Sequence, residues 1–108
     1  MAAVIRNRHK RMGLELPVDV TGRDASGSRF VEGTRTLNVS AGGLCFESRR
    51  NLSIGTQLDL TIPLPPALQS RFGGREIYRV RALVCRVERQ TGQDTAKVGV
   101  RFLHEIEK

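Results

Sequence analysis

The stretch Ile77-Tyr78-Arg79-Val80-Arg81-Ala82-Leu83-Val84-Cys85-Arg86-Val87-Glu88-Arg89-Gln90 is long for a strand and changes phase partway along. Val80, Ala82 and Val84 share one face of a two-residue period, and Leu83, Cys85 and Val87 share the other. A β-bulge, or burial on both faces of a closed or strongly curved sheet, produces such a pattern. The sheet that holds this strand therefore bends.

On its C-terminal side, Thr91-Gly92-Gln93-Asp94 reads as a hairpin loop. A final strand follows, with Ala96, Val98, Val100 and Phe102 inward and Lys97 and Arg101 outward. On its N-terminal side, Thr56–Ile62 alternates cleanly, Leu58, Leu60 and Ile62 against Gln57, Asp59 and Thr61, until Pro63, Pro65 and Pro66 stop it. The connection from Leu64 to Gly74 has room for a helical turn at Ala67–Arg71. Earlier, Leu14, Leu16, Val18 and Val20 predict a first strand, in which Pro17 marks an edge or a bulge. Residues 22–33 read as a loop or ragged hairpin, Thr34–Val39 as a second strand and Leu44–Ser48 as a third. No stretch of about ten residues keeps a helical period. The fold class is all-β: a small antiparallel barrel or sandwich with little helix, one domain over residues 13–108 behind a basic arm over 1–12.

The 108 residues suffice for one core, and the charged fraction of 27% suits a globular chain. No run approaches the roughly 18 apolar residues of a membrane span, and Met1–Ile5 is too short for a signal peptide's apolar region, so the expected location is cytoplasmic. Cys45 and Cys85 each lie in an apolar stretch and read as two reduced, packed thiols. His9 and His104 belong to no metal-ligand spacing, and there is no P-loop, Rossmann fingerprint or nucleophile elbow. The expectation is a protein that is not an enzyme, with no metal and no cofactor.

Charge carries more information. The net charge is +7, and fifteen of the eighteen basic residues are arginine, the side chain suited to planar contact with phosphate and guanine edges. Four of the positive charges lie in Arg6-Asn7-Arg8-His9-Lys10-Arg11. By itself this run reads as a solvated arm. It also reads as an anion clamp, in which Arg6, Arg8 and Arg11 close over a phosphorylated ligand. A second segment, Asn38-x-Ser40-x-x-Gly43, is a tight corner between strands: Asn and Ser side chains bond nearby backbone, and glycine permits a positive φ or a close approach. A well-built turn explains it without further function.

In order along the chain, the arginine run, Leu16-Pro17-Val18, Asn38-x-Ser40-x-x-Gly43, Leu44-Cys45-Phe46 and Val98-Gly99-Val100-Arg101-Phe102 resemble the PilZ domain family over nearly the whole length. The resemblance implies a six-stranded β-barrel that receives cyclic di-GMP, often as an intercalated pair. It also implies that the arginine motif and the corner grip the ligand from one side. Carried over, the ligand-binding residues are Arg6, Asn7, Arg8, Arg11, Asn38, Ser40 and Gly43. Binding in such domains rearranges the N-terminal segment and alters contacts with a protein partner, as a monomer or a ligand-dependent dimer. One departure matters: aligning Arg11 with the motif's second arginine puts Asn7 at the first, and sliding by one gives Arg6 with Lys10. Losing a bidentate charged contact weakens binding by about 1.5–3 kcal/mol, or roughly ten- to a hundredfold.

Two rivals follow. A degenerate PilZ-like adaptor would have lost the nucleotide through Asn7 and act through protein contacts alone. A barrel for single-stranded nucleic acid needs stacking platforms, and the chain has no Trp, one Tyr and four Phe, of which Phe46 and Phe102 read as core. The expected partners are therefore cyclic di-GMP and a protein, with no nucleic acid and no membrane insertion.

Overall fold

The computed structural model describes residues 13–89 and 91–106. Its strands are β1 (Pro17–Arg23), β2 (Arg29–Val39), β3 (Gly43–Ser48), β4 (Gln57–Pro63), β5 (Ile77–Arg89) and β6 (Ala96–Glu105). They form a closed antiparallel barrel in the order β1-β2-β3-β6-β5-β4, with β1 returning to β4. The helical turn between β4 and β5 is present as α1 (Pro66–Gln69), continued by a 3₁₀ turn at Ser70–Phe72.

Closure follows from alternation. Leu58, Leu60 and Ile62 of β4 point inward beside Val18 and Val20 of β1 and Val80, Ala82 and Val84 of β5, all almost fully buried. Each large aliphatic side chain so buried contributes about 1.5–3 kcal/mol. Phe46 and Val98 extend the same core on the opposite wall. Leu64, Leu68 and Phe72 join it from the β4–β5 connection. Phe72, Tyr78 and half-buried Phe102 stack there at 4.8 and 5.6 Å between successive rings. Phe102 thus packs at the rim of the core rather than inside it.

The phase change in β5 has its cause in two register shifts against β6, at Arg81/Ala82 and Val84/Arg86. The second leaves Cys85 as the extra residue, so Val87 turns inward opposite Val98. This corrects the reading of the cysteines: Cys45 is buried, but Cys85 is exposed at the bulge.

Two boundaries differ from expectation. β2 starts at Arg29, five residues before Thr34, and stays in register with β1 down to Arg23 opposite Arg29. The connection shrinks to residues 24–28 because the Asp24 carboxylate accepts from the backbone N–H groups of Ser26 and Ser28, both at 3.0 Å, and from Ser26 Oγ at 2.7 Å. β1, in turn, starts at Pro17 rather than Leu14. Pro17 lies outside the stretch of β1 that pairs with β4, which begins at Asp19, so its missing N–H costs no ladder bond there.

Candidate functional site

Antiparallel order places the β2–β3 corner at the barrel end that also holds the start of β1 and the end of β6. At this corner the Ser40 N–H donates to the Gly43 carbonyl at 2.9 Å. Ser40 Oγ donates to the same oxygen at 3.2 Å and accepts from the Gly42 N–H at 3.3 Å. Ser40 is buried, so its hydroxyl is committed to holding the bend.

Gly43 is required for space, not for torsion. It is absent from the glycines with positive φ, but a Cβ built on it would meet the Val100 carbonyl oxygen at 2.2 Å. Any larger residue would push β3 away from β6. Asn38 behaves differently from Ser40. It is half-buried, pairs with Cys45 after a register shift, and its amide makes no side-chain hydrogen bond to a described residue. Its donor and acceptor are unpaired among the described residues.

One buried side chain links this corner to the N-terminal segment. Thr36, fully buried on β2, donates from Oγ1 to the Leu14 carbonyl at 2.6 Å and accepts from the Leu16 N–H at 2.9 Å. Its backbone N–H donates to the Leu16 carbonyl at 2.8 Å. The chain leaving the arginine run is thereby fixed to β2 two residues before Asn38. Thr36 was invisible as a site residue because its partners lie 20 and 22 positions away.

Beside the corner, strand register aligns Gly43 with Arg101, which itself faces Leu83, and aligns Cys45 with Gly99, which faces Arg86. Alternation puts Gly43, Cys45 and Gly99 on the outer wall, since Leu44, Phe46, Val98 and Val100 fill the core between them. The result is a low wall of small residues flanked by the exposed guanidinium groups of Arg86 and Arg101. The Arg86 side chain lies 3.6 Å from where a Cβ of Gly99 would sit. The outward position of Arg101 was legible in the alternation of the last strand; its closeness to the corner needed the β3–β6 pairing. Of the sequence-derived candidates, the structure brings together Asn38, Ser40 and Gly43, while Arg6, Asn7, Arg8 and Arg11 lie outside the described residues.

At the same end, burial raises the Tyr78 phenol above its ordinary value, and the nearby Glu105 charge adds to the effect. Tyr78 is thus neutral at physiological pH and serves packing. No group of three His, Cys, Asp or Glu side chains among the described residues is arranged to hold a metal ion, and no helix among them is long and apolar enough to cross a membrane.

The described residues form a closed six-stranded barrel with a polar Asn-x-Ser-x-x-Gly corner beside the tethered residues that follow the arginine run in sequence. The PilZ domain model matches residues 5–108, and the chain belongs to that family. Similar solved structures include the Bacillus subtilis inhibitor of motility MotI/DgrA, at TM-score 0.67 and 21% identity over 92% of this chain and 43% of that one. The PilZ domain of YcgR from Escherichia coli, solved with c-di-GMP, gives TM-score 0.59 and 17% identity over 91% and 78%. The K. pneumonia MrkH–c-di-GMP complex gives 0.60 and 16% over 89% and 43%. At these identities the likeness is one of fold, and the chain spans less than half of MotI/DgrA and of MrkH. No curated protein matches the sequence.

Proposed function

We propose that this chain is a non-enzymatic receptor for cyclic di-GMP, held at the corner of Asn38, Ser40 and Gly43 and gripped by Arg6, Arg8 and Arg11. The observation that carries this reading is the Thr36 tether, which anchors Leu14 and Leu16 to the strand leading into Asn38. A chain extends at most ~3.6 Å per residue, so three residues from Leu14 back to Arg11 span no more than about 11 Å. Arginine run and corner therefore begin within reach of one ligand. Membership of the PilZ family supports the same ligand, as do the c-di-GMP complexes of the similar YcgR and MrkH structures.

The chemistry matches. Cyclic di-GMP offers two phosphates to cationic groups, guanine O6/N7 edges to bidentate arginine, and flat bases to guanidinium planes. Arg86 and Arg101 add guanidinium groups on the barrel wall, beside the amide of Asn38. On binding, the segment before β1 changes conformation and with it the contacts made to a protein partner.

Calorimetric titration of the protein with cyclic di-GMP, with GTP as control, tests the reading. Saturable heat with the dinucleotide alone is expected, and Arg11→Ala should abolish it. Asn7 favours a second reading, an adaptor that has lost the nucleotide. In that case the wild type gives no heat and Asn7→Arg gains binding, by the roughly ten- to a hundredfold that a bidentate charged contact supplies. Silence from both proteins refutes the receptor.

A further inference from the structure

The barrel end opposite the Ser40 corner carries arginines that form no ion pair with an acid among the described residues. Arg23 closes β1, Arg29 opens β2, Arg49 and Arg50 follow β3, and Arg89 closes β5. Antiparallel order collects these strand ends at one end of the barrel. The ion pairs among the described residues involve Arg35, Arg75, Arg81 and Arg86 instead. Two acids of this end are already engaged. Asp24 stitches its own turn, and Glu32 accepts from Ser48 Oγ and the Arg49 N–H.

The guanidinium groups are held mainly by neutral groups, Arg50 also sensing a nearby carboxylate, that of Asp24. Arg23 donates to the Gly27 carbonyl, Arg89 to the Arg50 carbonyl and Asn51 Oδ1, and Arg50 lies 5.2 Å over the Phe30 ring. Arg23 and Arg29 are direct cross-strand partners, an arrangement of like charges that costs stability unless an anion sits between them. They line a groove of about 590 Å³ together with Thr21, Val31 and Gln57. Val31, at 70% exposure, and Ile54, at 68%, in the connection after β3, are the most exposed large apolar side chains of the described residues. Arginines around exposed aliphatic groups are the composition of a protein interface.

We propose that this groove docks a partner protein through an acidic segment carrying an aliphatic side chain, Arg23 and Arg29 taking its carboxylates and Val31 its apolar group. Charge complementarity selects the acidic segment, and Val31 selects a protein over a nucleic acid. A strand of nucleic acid would need exposed rings for its bases, but Phe30 is buried beneath Arg50, and Asp59 in the same groove is held by Arg81. The surface lies at the other end from the Ser40 corner, so the proposal stands independently of nucleotide binding.

The test is fluorescence anisotropy with a labelled peptide alternating Glu and Val, alongside a polyglutamate of equal length and a single-stranded oligonucleotide. Saturable binding of the alternating peptide is expected, with polyglutamate weaker. The double variant Arg23→Gln, Arg29→Gln should lose about tenfold in affinity, and Val31→Asp should lose binding, while Arg79→Gln at the opposite end should bind as wild type. Circular dichroism verifies the fold, and Val31→Ser, at an exposed site, repeats the test should the double variant unfold. Absence of saturable peptide binding overturns the proposal. So does wild-type affinity in the folded arginine or valine variants, or tighter binding of the oligonucleotide than of the peptide.

Discussion

Replacing Thr36 by Val isolates the tether on which the proposed site depends. The two side chains have nearly the same shape, and Thr36 is fully buried, so the change leaves no cavity and inserts no bulk. It removes two hydrogen bonds, one to the Leu14 carbonyl and one from the Leu16 N–H. A buried group left without a partner costs about 1–3 kcal/mol. The Leu16 N–H suffers this in full, because Leu16 is itself buried, whereas the Leu14 carbonyl, on a half-buried residue, regains water. The backbone bond from the Thr36 N–H to the Leu16 carbonyl survives. The expected loss is therefore about 2–4 kcal/mol, which in a domain of this size lowers Tm by roughly 10–20 °C. Thermal unfolding followed by circular dichroism reads the stability. Titration with cyclic di-GMP reads the consequence for binding, since each residue freed from the tether must be ordered again at about 1–2 kcal/mol. A Thr36→Val protein that melts within about 2 °C of wild type would refute the assignment of Thr36 as the anchor.

Gly43→Ala should cost about 2–3 kcal/mol, since its methyl meets a backbone oxygen that moves only with the strand. Gly99→Ala, whose methyl would find only ordinary contacts with the Arg86 side chain, should melt close to wild type, and paired melting curves check both. Asp24 is held below its ordinary value near 3.8, chiefly by the Ser26 hydroxyl and then by the Ser28 N–H. A depressed carboxylate stabilises above its unfolded value and stops doing so as pH falls through the lower folded one, so Asp24→Asn should flatten the acid limb of a stability–pH curve below about pH 4 and leave neutral pH insensitive to titration of this site.

What the sequence disclosed was local. The alternation of Leu58, Leu60 and Ile62 depends on neighbours two residues away and holds in β4 without change. The phase change in β5 marked a bulge, and the bulge is there; the fate of Cys85 was lost because the residue inserted by a bulge turns whichever way the partner strand requires. The Ser40 bend is written within four residues. By contrast, the early start of β2 rests on one Asp24 carboxylate bonding across its turn, which Gly22 and Gly27 disguised as a loop. Arg86 and Arg101 reach the corner only through β6 lying between β3 and β5, a pairing that joins residues about 60 apart in sequence. The arginines before Leu14 were read from their charge and from the family resemblance, and their positions lie outside the described residues.

The corner and the tether differ in what they permit to move. The bend at Ser40 is locked from two sides. Its hydroxyl is shared between Gly42 and Gly43, and Gly43 lies against the Val100 carbonyl with no room for even a methyl group. Shifting it would unpair β3 from β6, where six residue pairs run from Gly43–Arg101 to Ser48–Ala96. A ligand that contacts Asn38 and Ser40 thus meets a fixed surface and gains nothing by deforming it. Thr36 fixes Leu14 and Leu16 in the same way. If cyclic di-GMP binds here, the conformational response is left to the residues ahead of Leu14, where Arg6, Arg8 and Arg11 are concentrated. A barrel that stays rigid converts ligand binding into the placement of that segment alone, and a partner protein that reads the segment reads the ligand.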